Sequence, residues 1–393
     1  MRPVIDLIQR LSLLDPGQRY PEYSPDDGKV HVLYMGVHLN ATGLYRSILP
    51  WLTLNKTQTH CAIINDIQDW REHDRFGLLS IPLTSQLIRW ADYIVLPTTA
   101  HPHEKFKELI EYLQKINKTV TICMDVDDNY IDIPKTHPHC EKYIKLNGTI
   151  LKNMSICDKI TTTHQHLADL YCEQIAAKVK IISTIPTFHP LPNLMSPITM
   201  PEQIPDPLKN KQFIIGITTN RTQTHDLLLL QKPLQKIKEK YGEKVRICLF
   251  GHDGRMFNGK FFVNVLAGIK YEYVKPVTIV NYFTALQNLQ YDIALMPLRD
   301  NAFNRMKSNH KLLQYAQLGI SAIAPDMPPY NEPSIPGKPQ IPYLEANGNW
   351  EERIVECVDT LNYYEEARKE AKEFVKEHYL IENNINLWQK CFN

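Results

Sequence analysis

The sequence predicts an α/β chain of two doubly wound, Rossmann-like domains facing each other across a cleft. Three observations carry that prediction. Short β-rich apolar runs alternate with helical patterns, the signature of βαβ units and parallel sheets. A proline-rich stretch then stops the rhythm, and after it the alternation starts again.

The first series is "KVHVLYMG" (Lys29–Gly36), "HCAIIN", "DYIVLP", "TVTICM" and "KITTT", at intervals that leave room for helices. The interruption, "PTFHPLPNLMSPITMPEQIPDPLKN" (Pro186–Asn210), holds seven prolines and no periodicity, and reads as an extended linker. The second series is "QFIIGITT", "VRICLFG", "DIALMPL" and "GISAIAP". The last long stretch, "NWEERIVECVDTLNYYEEARKEAKEFVKEHY", is helical by its apolar spacing. The predicted domains are therefore 1–190 and 211–393, joined by a linker at 191–210, with the last helix able to pack back on the first domain.

Length and charge agree with this division. A chain of 393 residues is too long for one ordinary core. The net charge of +1 excludes a protein that coats nucleic acid, so any positive patch is local. The N-terminal stretch is broken by Asp6, Arg10, Asp15 and Arg19 and does not read as a secretory signal. No apolar run approaches a membrane span. The eight cysteines include no CxxC pair, so buried thiols in a reducing, cytoplasmic compartment are expected. "FGLLSIPLTSQLIRW" (Phe76–Trp90) reads as a core helix, with peripheral contact at the inner face of the membrane as the alternative.

In doubly wound sheets, ligands bind beyond the carboxyl ends of the strands. The stretch "NAFNRMKSNHKLLQYAQLGISAIAP" (Asn301–Pro325) follows such a strand. It places Arg305, Lys307, His310 and Lys311 at a predicted helix start, with Ser308 or Asn309 as N-cap. A helix start already carries partial positive charge. Cations added there make sense if a diphosphate sits among them. The alternative is a solvated charged face.

The same residues carry a resemblance. "DIALMPLRDNAFNRMKSNHKLLQYAQLGISAIAPDMPPY" looks like the nucleotide-sugar-binding segment of GT-B glycosyltransferases, glycosyltransferase family 4 in particular. "IIGITTNRTQTHDLLLL" resembles the first strand and phosphate loop of that domain, and "MDVDDNYIDIP" an acidic loop of the N-terminal domain. The resemblance implies a GT-B fold with a donor-binding C-terminal domain and an acceptor-binding N-terminal domain. Carried over by position, Arg305, Lys307, Ser308, Asn309 and Lys311 line the diphosphate and sugar end of the donor. Gln314 falls where the family usually has a glutamate on the ribose hydroxyls, which is a departure.

Other candidates follow strands. Thr219 and Arg221 can cradle and neutralise a phosphate, or simply start a capped helix. Gly43 is the best donor-side residue of the loop "GVHLNATGLYRSILP", against plain turn chemistry. "MDVDDNY" holds Asp125, Asp127 and Asp128. Asp125 and Asp128 are read as ligands of acceptor or sugar hydroxyls, with a structural cap as the alternative. Among the histidines of the first half, including His137, His139 and His164, most read as surface residues. His101 is preferred for proton transfer or sugar contact. His101, Asp125 and Asp128 thus form the candidate catalytic set.

The resulting expectation is transfer of a sugar from a nucleoside diphosphate donor to an acceptor hydroxyl. The resemblance implies retention of configuration; no cofactor is expected, and because lysine, arginine and helix amides already neutralise the phosphates, no metal is expected either. The acceptor would be a cell-envelope glycan or lipid-linked sugar. A modified base in DNA, a non-catalytic nucleotide-binding protein and a sugar-nucleotide epimerase are the competing readings.

Overall fold

The structure is a computed structural model that describes residues 15–68, 83–175, 181–184, 212–257, 262–333, 335 and 337–393. The expected linker at 191–210 lies outside the described residues, as does the N-terminal part of Phe76–Trp90. The rest of that stretch forms the helix Ser85–Trp90, capped by Thr84, with Leu87, Ile88 and Trp90 buried.

All nine apolar runs form strands, because each supplies four or more consecutive residues that can be buried on both faces of a parallel sheet. In chain order the sheet strands are β1 (Val30–Tyr34), β2 (His60–Ile64), β3 (Tyr93–Pro97), β4 (Thr121–Val126), β5 (Lys159–Thr162) and β6 (Ile181–Thr184). They continue with β7 (Phe213–Thr219), β8 (Val245–Gly251), β9 (Glu272–Val274), β10 (Ile293–Leu295), β11 (Ser321–Ala324) and β12 (Leu344–Glu345). β6 and β12, of four and two residues, escaped the sequence reading.

The chain divides into two compact units. The first takes its residues from Met1–Tyr130, Ile144–Thr187 and Ile381–Asn393. Its sheet has the order β2-β1-β3-β4-β5-β6, all parallel. The helix His103–Ile116 shows how its layers close: Phe106, Ile110 and Leu113 recur at helical spacing and are buried. The helix Ile381–Cys391 belongs to this unit, and the Lys159 ammonium donates to the Cys391 carbonyl at its end.

The second unit takes its residues from Ile131–Tyr143 and Phe188–Leu380. Its sheet has the order β9-β8-β7-β10-β11-β12, also all parallel. Ile215 in β7 pairs with Ile247 on one side and Ile293 on the other, at the centre of the core. Gly216 beside it leaves room for Tyr291: a Cβ there would lie 2.0 Å from the tyrosine ring. The strand order reverses between β7 and β10, which makes their carboxyl ends the topological switch point. The expected C-terminal helix is two helices, Trp350–Asp359 and Leu361–His378, because Thr360 leaves helical geometry at φ −126°, ψ 89°.

Candidate active site

At the switch point of the second unit, β7 ends on Thr219, and Asn220 turns the chain. The Asn220 side chain accepts from the amides of Thr222 (3.0 Å) and Gln223 (3.2 Å), which shapes the turn Arg221–Gln223. Gly251 closes β8 against β7: at φ +104° any Cβ would stand 2.3 Å from the Thr219 carbonyl. This close approach requires glycine. The helix His310–Gln317 begins beside these ends. The Lys311 ammonium donates to the Thr218 carbonyl (2.9 Å) and to Gln223 Oε1 (2.6 Å), tying the helix start to β7.

The electrostatics of this edge are one-sided. Burial, then the charge of Lys307, push Lys311 down to about 8, and Asp226 opposes them. Burial, Lys311 and Lys307 push His310 down to about 3, while its ring hydrogen-bonds Ser308 Oγ at 2.9 Å. Burial lowers His225, and Arg299 lowers it further; burial also lowers His252, opposed by Asp253 and helped by Arg221. Asp226 is buried and already engaged, accepting from the Arg299 amide (3.0 Å) and from Asn304 Nδ2 (3.2 Å). Burial first, and neighbouring cations second, hold Lys311 and His310 below their ordinary pKa values, and an anion beside them would raise both. Keeping one such ammonium charged costs on the order of 3 kcal/mol, which an anionic ligand would offset.

The sequence-predicted donor residues fare differently. Thr219, Arg221, Ser308 and Lys311 gather at this edge. Lys307 places its ammonium 4.3 Å from the Phe303 ring centre. Asn309 occupies the N-cap position but makes no side-chain cap bond, contrary to the expectation that it or Ser308 would cap. Its backbone (φ −83°, ψ 14°) is not extended, so the side chain cannot turn back onto the helix amides. Arg305 is turned to an exposed pair with Asp300, with contacts of 2.5 and 2.6 Å that satisfy its charge. Gln314 is buried one turn further along, and its Oε1 accepts from the Tyr282 hydroxyl at 3.0 Å. Tyr282 in turn stacks on Phe250.

The carboxyl edge of the first unit has the opposite character. Asp125, at the end of β4, accepts from Arg46 Nη2 (2.7 Å), Arg46 Nε (3.0 Å) and Thr161 Oγ1 (2.5 Å). Arg46 and Asp125 are 2% and 6% exposed, so this is an interior ion pair, with the guanidinium 5.0 Å from the Trp388 ring centre. Asp125 is thereby committed to holding β4, β5 and the helix that carries Arg46. Asp127, two residues on, is the carboxylate with a displaced titration. Burial and the neighbouring Asp128 push it up to about 6, against the pull of the Thr42 hydroxyl, which donates to Oδ2 at 2.7 Å. Asp128 Oδ1 accepts from the Asn129 amide at 3.0 Å. His101 stands in the loop after β3, where its carbonyl accepts from Asn153 Nδ2 at 3.0 Å. Gly43 is required by packing: a Cβ there would meet the His38 carbonyl oxygen at 1.7 Å.

Four residues of consequence were missed or undervalued in the sequence. Arg46 and Asp127 could have been suspected from a cation and a carboxylate each following a buried strand. His137 and His139 left no such signal. The segment Ile131–Tyr143 belongs to the second unit, where the buried His137 ring lies 5.4 Å from Phe303. Burial and Lys307 push His137 down to about 4, and burial and Arg221 lower His139. Among the described residues no three His, Cys, Asp or Glu side chains gather as metal ligands, and no helix is long and apolar enough to cross a membrane.

No family model matches the chain, and no curated protein matches it by sequence. Solved structures do match. A glycosyltransferase from Rickettsia africae overlays at a TM-score of 0.53 and 14% identity, over 92% of this chain and 97% of its own. Anabaena HepE, solved with UDP and glucose, overlays at 0.54 and 10% identity, over 92% of this chain and 100% of its own. The chain has the GT-B fold. OtsA overlays at 0.50 and 13% identity, over 93% and 98% of the two chains. TarM overlays at 0.48 and 14% identity across 77% of this chain, which spans only 54% of TarM.

Proposed function

We propose that this GT-B protein is a glycosyltransferase whose second unit holds a nucleoside diphosphate sugar. The observation that carries the reading is the concentration of positive charge at the β7/β10 switch point. Lys311, Lys307 and Arg221 converge there, with histidines held neutral around them. A Rossmann-like sheet offers its ligand site at this position, and a diphosphate is the anion that such a fold most often holds there.

The chemistry asked of these residues is stabilisation of the leaving group. As the bond from sugar to diphosphate breaks, negative charge grows on the phosphate oxygens, and preoriented ammonium and guanidinium groups stabilise it. Lysine and arginine then do the work of a divalent cation, so no metal is required in this reading. Retention of configuration, as in family 4, fits a site without a dedicated base at the phosphates, where a donor phosphate oxygen accepts the acceptor's proton. The carboxylates at the end of β4, Asp127 and Asp128 above all, serve a hydroxyl-bearing acceptor, a glycan or lipid-linked sugar.

The test is a thermal-stabilisation screen of UDP, GDP and ADP and their common sugars, since a ligand that binds only the folded chain raises its melting temperature. At a hundred times Kd the gain is about 2.7 kcal/mol. Stabilisation by one nucleoside diphosphate and its sugar, weakened in Lys307→Ala, is expected. No shift with any of them would remove the donor site from the reading.

A further inference from the structure

We propose that the segment Ile131–Tyr143 forms a wall of the donor site and that His139 contributes a proton-bearing contact to the diphosphate. The inference rests on the donor reading and adds a residue to it.

His137 anchors the segment. Its ring packs edge-on against Phe303, and the Lys307 ammonium lies 4.3 Å from the centre of that same phenyl ring. The His139 amide donates to His137 Nδ1 at 3.2 Å, and the two ring centres are 5.8 Å apart. The anchoring of His137 therefore fixes where His139 stands.

His139 itself is exposed and immediately precedes the helix Cys140–Met154, whose Tyr143 amide donates to its carbonyl at 3.0 Å. A helix start opposes an imidazolium and favours an anion. Among the described residues, His137, Tyr143, Arg221 and Lys142 face the ring. After burial, Arg221 and then Lys142 hold the imidazole below its ordinary pKa. A diphosphate bound beside Arg221 reverses that field. The imidazole then takes a proton from solvent and donates an N–H to a phosphate oxygen, a charge-assisted bond that strengthens as the leaving group gains charge.

Calorimetric titration of UDP into the full chain at pH 6.5, in two buffers of different ionisation enthalpy, measures the proton taken up. The wild-type chain is expected to take up protons on binding. His139→Gln is expected to take up fewer and to bind UDP about tenfold more weakly. The difference should shrink at pH 8.5, where the imidazole stays neutral and any remaining uptake belongs to Lys311. His139→Lys, a permanent cation, should bind UDP tightly without the proton uptake. Because His139 is exposed, melting temperatures serve as a check that each variant is folded. Equal affinity and equal proton uptake in wild type and His139→Gln would overturn the role of His139 and leave the donor site standing. Failure of the wild type to bind UDP, GDP or ADP would overturn both.

Discussion

The carboxyl edges of the two sheets solve the same electrostatic problem in opposite ways. In the first unit, the buried guanidinium of Arg46 meets its carboxylate, Asp125, inside the protein, and two further carboxylates, Asp127 and Asp128, follow it along the chain. In the second, Lys311, Lys307 and Arg221 accumulate, and the buried carboxylate that acts on Lys311, Asp226, also accepts from the Arg299 amide and Asn304. The Arg46–Asp125 pair of the first edge is structural. The second is paid for in depressed pKa values, which makes it the edge that calls for a ligand. The contrast is a guide to function: a charge paired in the interior holds a fold together, and a gathering of like charge at a strand edge attracts an anion.

The comparison can be broken most sharply at the buried pair. Asp125→Asn leaves the Arg46 guanidinium without its counter-charge and is expected to cost about 3–5 kcal/mol of stability by urea unfolding. Nucleoside diphosphate affinity should stay unchanged where the variant is folded. A small loss of stability would show that Asp125 is free for chemistry after all.

Lys311→Met tests the other edge. It is expected to weaken nucleoside diphosphate binding about a hundredfold, the cost of removing a desolvated cation from its anion. The melting temperature at pH 7 should move by less than about 5 °C, because the fold holds that ammonium below its ordinary pKa and gains little from its charge. A collapse in stability without a change in affinity would reverse the assignment.

A smaller effect is expected at Asp127. Its pKa is raised in the folded chain, so protons bind the folded state more tightly between about pH 4 and 6. Stability from this group is therefore present at low pH and lost as pH rises through about 6. Asp127→Asn should raise the melting temperature at pH 7.5 and leave it nearly unchanged at pH 4. If the carboxylate also serves the acceptor, the variant loses the rise in transfer rate through the same pH range.

The smallest effect belongs to Arg305, which the sequence ranked with the donor cations. Its pair with Asp300 is exposed, so Arg305→Ala should leave the melting temperature almost unchanged. Diphosphate affinity, measured by calorimetry, should change far less than in Lys311→Met. Equal losses in the two variants would return Arg305 to the diphosphate.

Much of this was legible beforehand. Runs such as "QFIIGITT" and "VRICLFG" announce buried parallel strands because burial on both faces demands continuous apolar residues, and the order of strands and helices then confines the ligand to strand ends. The cations of Asn301–Pro325 stood out for a similarly local reason, since they crowd the start of one helix. What the sequence could not say is which charges meet. Arg46 and Asp125 lie 79 residues apart, Lys311 and Thr218 93 apart, and the packing of His137 on Phe303 joins opposite halves of the chain. Periodicity reports whether a residue is buried, because burial is set by its own neighbours along the helix or strand. Charge compensation depends on partners brought from far away, so only the tertiary structure decided that Asp125 is an anchor, that Arg305 is already neutralised, and that Lys311 is not.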